Sequence, residues 1–224
     1  MPNYVTVTTA NQNTYQNAIG NGISVSGFGD EVLLASGATI SSTAANGHGI
    51  YGDLPAGEVF LVLMGSVESA SSAGIRMASN GNRVMIGPTG EVSGGTSGIL
   101  LSDFMFGSGG NWLENWGSVK GTGATGIGIG ANFSNNSLSN KGTVEGFKGI
   151  VAGSAGSSNN KVFNSGSIVS TDAGVTLYGN GSSLTNTGVI KSGDSGYTVV
   201  LNANAGETIS VLNTGTIESG NTAI

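Results

Sequence analysis

The sequence predicts an all-β fold, a right-handed parallel β-helix (solenoid) with three strands per turn and about eight turns of 22–28 residues. Three observations carry the prediction. A short motif, Gly followed by one residue and then Val or Ile, returns at a near-constant step. Each period holds two further strand-like pieces whose apolar residues alternate with polar ones. Gly, Ser, Asn and Thr together make just over half of the 224 residues, a load that disfavours helix interiors.

The elements follow in order. Residues 1–36 form an N-terminal turn, with Val5-Thr6-Val7, Ile23-Ser24-Val25 and Val32-Leu33-Leu34 as its strand-like pieces. Seven repeats follow over 37–214, opened by a loose copy at Gly37. The motif then recurs at Gly65-Ser66-Val67, Gly90-Glu91-Val92, Gly117-Ser118-Val119, Gly142-Thr143-Val144, Gly166-Ser167-Ile168 and Gly188-Val189-Ile190. Gly215-Thr216-Ile217 opens an incomplete last turn, 215–224.

The second piece of each period also opens with Gly, as in Gly74-Ile75-Arg76-Met77, Gly98-Ile99-Leu100-Leu101 and Gly126-Ile127-Gly128-Ile129. Alternation puts Ile75 with Met77, Ile99 with Leu101 and Ile127 with Ile129 on one face. Gly196-Tyr197-Thr198-Val199 is the last such piece. The third piece closes the period with an apolar residue, a spacer and Asn-x-Gly, as in Leu138-Ser139-Asn140. One turn cannot bury its apolar face alone, so the turns stack as a single domain, 1–224. Parallel strands joined by crossovers coil right-handed.

Composition narrows the function. Only 9% of residues are charged and the net charge is −6, with 7 Lys and Arg, so no basic surface exists for nucleic acid. Cys is absent, which excludes disulfides and thiolate chemistry. The longest apolar run, Val59 to Met64, is far short of a membrane-spanning helix, so membrane insertion is not expected. The start of the chain has neither the basic nor the apolar part of a secretory signal peptide, so export is expected by another route.

The Gly-x-[Val/Ile] openings and Asn-x-Gly closings resemble the β-helical regions of bacterial surface proteins. These include autotransporter passengers and the Gly/Ser/Asn/Thr-rich adhesins exported by type I machinery. The resemblance spans the whole chain as a style of repeat. It implies an extracellular or cell-surface location and a structural or adhesive role.

Candidate residues fall into columns. Asn115, Asn140, Asn164, Asn186 and Asn213 recur two residues after an inward apolar side chain, and stacking should join their amides into a ladder. Leu63 and Pro88 stand in their place in early turns. A second column reads Glu68, Ser93, Lys120, Glu145, Val169, Lys191, Glu218, so Lys120 should pair with Glu145 and Lys191 with Glu218. Phe104, Phe106, Trp112 and Trp116 form the one local concentration of aromatics. Trp116 shares a column with Lys141, Ser165, Thr187 and Thr214, and either faces outward as a contact for a sugar ring or another subunit, or is buried by the 102–111 loop.

Catalytic chemistry has little to work with. A glycosidase needs two facing carboxylates. Asp30-Glu31 is the one adjacent acidic pair, while Asp53, Asp103, Asp172 and Asp194 fall singly, with Asp172 and Asp194 able to stack on neighbouring turns. His48, the sole histidine, sits in a turn. Gly27-Phe28-Gly29-Asp30-Glu31-Val32 reads either as one copy of a calcium repeat or as a turn. Gly121 to Gly126 lacks the Lys of a phosphate loop. The expectation is a non-enzymatic rod with no catalytic residue, metal or cofactor. Its expected partners are another copy joined head-to-tail or the rest of a larger surface protein, and also glycans. The alternatives are a polysaccharide lyase, a tailspike-like hydrolase or a glycan-binding module.

Overall fold

A computed structural model describes residues 3–17, 19–52, 57–101, 109–193 and 196–220. It is a right-handed solenoid of three parallel sheets. The first sheet has nine strands, from Tyr4–Val7 to Ile209–Asn213, and the second nine, from Gln16–Asn17 to Thr216–Ser219. The third has eight, from Ile23–Val25 to Val199–Asn202. In each sheet the order is strictly every third strand along the chain, so every turn lies directly on the one before it. Eight spacings of ~4.8 Å give a rod of roughly 40 Å.

The register follows the apolar alternation. Leu61, Val84, Leu113, Leu138, Val162 and Leu184 stack in one column of the first sheet, and Val67, Val92, Val119, Val144, Ile168 and Ile190 in one of the second. All twelve are buried, and one continuous cluster runs from Val7 to Val199. The core is therefore a string of aliphatic stacks along the axis.

Close approach of backbones explains the recurring glycine of Asn-x-Gly. A Cβ placed on Gly117, Gly142, Gly166 or Gly188 would stand 2.1 Å from the carbonyl oxygen of the equivalent glycine one turn earlier. Any side chain there forces neighbouring turns apart.

Two details depart from the sequence reading. In the third sheet Ile99 pairs with Ile129 and Leu101 with Ala131, so Gly128, rather than Gly126, is the equivalent of Gly98. Ile127 is then only half-buried beside the buried Ser97, and the inward pair of this turn is Ile129 with Ala131. Likewise Val199 pairs with Val175, which puts Thr198, not Gly196, in the glycine column. The longer connections before these strands carry extra glycines that imitate the motif.

The N-terminal segment departs as well: Val32-Leu33-Leu34 pairs in register with Val5-Thr6-Val7 in the first sheet, so it lies one turn on and is not a third strand of the same turn. Among the described residues the sole helical segment is a four-residue 3-10 helix, Gln12–Tyr15, and the short strand Gln16–Asn17 follows it to start the second sheet. Tyr15 packs against the core at this end, and Val7, Ile23 and Val25 are buried. The last described turn is barer: inward-pointing Leu201 and Val211 are 40% and 39% exposed.

Candidate functional site

The Asn column lies in the first sheet, inside the solenoid. Asn115 Nδ2 donates to Asn140 Oδ1 at 2.8 Å, Asn140 to Asn164 at 2.8 Å, Asn164 to Asn186 at 2.7 Å and Asn186 to Asn213 at 2.7 Å. Each of these four amides also donates to a second-sheet carbonyl of the next turn, Thr143, Ser167, Val189 and Thr216 in order, at 3.1–3.2 Å. The first four asparagines are fully buried. Earlier turns place Leu34, Leu63 and Ile86 in this column, so Ile86, not Pro88, is the last apolar residue before it becomes amide.

A second ladder stands at the start of the same strands. Asn82 Nδ2 donates to Asn111 Oδ1 at 2.9 Å, Asn111 to Asn136 at 2.9 Å and Asn136 to Asn160 at 3.0 Å, all four buried. Ser182 Oγ then accepts the Asn160 N–H at 3.0 Å. Its signature was open to inspection: Asn111-Trp112-Leu113-Glu114-Asn115 and Asn136-Ser137-Leu138-Ser139-Asn140 each hold one inward apolar residue between two asparagines.

Outside the solenoid, Lys120 pairs with Glu145 at 2.7 Å and Lys191 with Glu218 at 3.6 Å, both well exposed. Lys141 has two partners. It is ion-paired with Glu114, and its Nζ lies 3.9 Å from the centre of the Trp116 ring. Trp116 is 48% exposed, so it faces outward beneath this cation. Phe104 and Phe106 lie outside the described residues. Trp112 stands at the other end of its strand from Trp116, with Glu114 between them.

Trp112 instead borders a trough on the outer face of the first sheet. Phe60, Arg83 and Trp112 occupy one register position on three successive strands, with Val62 and Met85 two residues further along the first two of them. The trough they line, with Glu58, Gly81 and Gly110 at its edge, encloses about 580 Å³. The Arg83 guanidinium lies 5.2 Å from the centre of the Phe60 ring. Phe60 and Met85, diagonal neighbours on adjacent strands, are 37% and 38% exposed.

The isolated acids and the histidine are tied into the fold. Asp30 is buried and accepts hydrogen bonds from Asn3 N at 2.8 Å, Asn3 Nδ2 at 3.1 Å, Gly27 N at 2.8 Å and Ser26 N at 3.2 Å. Burial alone would raise its pKa, but these donors hold it below the ordinary aspartate value. The 27–32 segment is thus a turn locked by its own carboxylate. His48 is buried, accepts from Ala73 N at 3.2 Å through Nδ1 and stacks on Tyr51 at 5.3 Å between ring centres. Burial and the nearby Arg76 charge push its pKa down. Among the described residues Asp172 joins no such network, and Asp53, Asp103 and Asp194 lie outside them.

Set against known proteins, the chain matches no family model, no curated protein and no solved structure at a significant level.

Proposed function

We propose that the chain is a non-enzymatic structural and adhesive rod, carried outside a bacterial cell as part of a surface protein or filament. The single observation that supports this most is axial continuity. Each turn is bonded to the next by three backbone ladders, and from Asn82 onward by buried side-chain amides as well. Such a stack resists bending and stretching because every deformation breaks many parallel bonds together. The surface between these ladders is free to vary, which is how a rod carries adhesive contacts.

The bare last turn extends the reading to self-association. Leu201, Val211 and half-buried Ile217 face the axis at one end, while Tyr4 and Ile19 are 73% and 94% exposed in the first turn. Head-to-tail stacking would cover the first set and continue the sheets.

The location is tested by antibody labelling of intact cells of the source organism, which should stain the surface without permeabilisation. Chemistry is tested by incubation with pectin, alginate and capsular polysaccharides. The expected result is no new reducing ends and no unsaturated products. Product formation lost in Asp172→Asn would overturn the non-enzymatic reading.

A further inference from the structure

We infer that the trough over Phe60, Arg83 and Trp112 is a binding site for a neutral polysaccharide, gripped by aromatic faces and by one donor and one acceptor group. The inference deepens, and rests on, the adhesive half of the reading above.

The geometry supplies a platform first. Strand register holds Phe60 and Trp112 two spacings apart, about 9.6 Å. Arg83 lies between them, its guanidinium over Phe60, so the two rings and the planar cation form a row along the rod axis. Gly81 and Gly110 have φ of +69° and +73°, and a Cβ on Gly110 would meet nothing within 4 Å. Among the described residues Gly81 and Gly110 add no side chain to this edge, and Glu58 is the polar group there. A volume of about 580 Å³ falls within the ~300–1,000 Å³ usual for small-ligand sites, and the mix of apolar lining with few polar groups is the usual one.

The polar groups then choose the ligand. Among the described residues no carboxylate lies within ion-pairing distance of Arg83, whose guanidinium instead lies by the Phe60 ring. Arg83 can only donate hydrogen bonds and Glu58 can only accept them. A ligand that satisfies both must offer acceptors and donors within a short length while presenting apolar faces to the rings. Pyranose rings do this: their C–H faces bury against aromatics, and each hydroxyl both donates and accepts. An acidic polysaccharide offers hydroxyl donors as well, but its negative charge is repelled by a chain of net charge −6. A peptide gains no strand pairing here, because the strands beneath the trough are paired on both sides.

The test is affinity electrophoresis of the whole chain through gels containing dextran, mannan, galactan, xylan or laminarin, with alginate and polygalacturonate as acidic probes. At least one neutral polysaccharide should retard the protein. Retardation should be roughly tenfold weaker in Trp112→Ala and in Phe60→Ala, and reduced in Arg83→Met, as for truncated contact residues at a binding site. Phe163→Ala, an exposed aromatic on the same face two turns on, should leave it unchanged, and thermal midpoints should show that all variants fold. Retardation by none of the neutral polysaccharides, by acidic ones alone, or equally in wild type and the Trp112 and Phe60 variants would overturn the inference. Those outcomes would leave surface labelling and rod stability unaltered, so the structural reading stands or falls separately.

Discussion

At the scale of single residues, the buried amides couple turns more tightly than their individual energies suggest. Asn164→Leu removes one rung and leaves Asn140 Nδ2 without its amide acceptor and Asn186 Oδ1 without its donor. The cost should be about 1–3 kcal/mol, because Asn186 Oδ1 loses its amide donor in a dry interior while Asn140 Nδ2 keeps only its backbone acceptors. The column itself is not hostile to apolar side chains, since Leu34, Leu63 and Ile86 fill it in earlier turns. Replacing Asn115, Asn140, Asn164 and Asn186 together by Leu should therefore cost less than the sum of the four single changes, read from denaturant midpoints. Strict additivity would show that the amides act independently. Asp30 makes a different prediction. Its pKa is depressed in the folded state, so the unfolded chain binds its proton first as pH falls. Stability is fully present above the unfolded value near ~4 and is lost as pH falls through the lower folded value. Asp30→Asn should destabilise at pH 7 by about 1–3 kcal/mol through its lost charged acceptor, and should flatten this acid limb. An unchanged slope of stability between pH 5 and 2, measured by urea titration, would remove Asp30 from the account.

At the scale of elements, the unit is the turn, and turns should be removable whole. Deleting 142–165 takes out 24 residues, one full period from Gly142 to the residue before Gly166. The shortened chain would stack Ile168 on Val119, Val175 on Ile129 and Asn186 on Asn140, preserving each column it joins. Lys120 would then face Val169 and lose Glu145, which matters little because exposed ion pairs contribute only a few tenths of a kcal/mol. The far-UV spectrum should keep its β shape with a modest drop in melting temperature, whereas deleting twelve residues within the period should unfold the chain. Equal tolerance of both deletions would count against a register-locked solenoid. The same columns explain what the sequence revealed. Strict alternation around Val119, Val144 and Ile168 made the second sheet readable from Gly37 onward. It misled where a glycine-rich connection imitated the motif, as at Gly126 and Gly196, since two residues of shift keep the same in-out pattern. The Gln12–Tyr15 helix and the Gln16–Asn17 strand are polar and short, and only packing at the first turn defines them. The trough was hidden for another reason. Phe60, Arg83 and Trp112 lie 23 and 29 residues apart, and variable turn lengths conceal that they share one register position.

At the scale of the whole molecule, the first and last described turns are unlike, and the head-to-tail association proposed above predicts how copies of this chain meet. In the first turn Val7, Ile23 and Val25 are already buried, and Tyr15 packs beside them. In the last, Leu201 and Val211 point inward yet stand about two-fifths exposed, and Ile209 and Ile217 are only half-covered. Among the described residues Val199–Asn202 and Ile209–Asn213 are the last strands of their sheets, and a sheet edge is a template for further pairing. A contact between two like ends would be isologous and stop at a dimer. A contact between unlike ends is heterologous and propagates until it closes or forms a filament. Parallel pairing favours the second, since only a head-to-tail copy continues each sheet in the direction it already runs. Sedimentation velocity over a hundredfold range of concentration should show mass rising beyond the dimer, with rods of increasing length by electron microscopy. Introducing charge at the open end, as Leu201→Asp with Val211→Asp, should return the protein to monomer. Tyr4→Ser with Ile19→Ser at the other end should weaken assembly without abolishing it, because the backbone edge there remains. A limit at the dimer would assign the contact to two open ends instead. A single monomeric species at every concentration, equal in wild type and both variants, would refute end-to-end assembly outright.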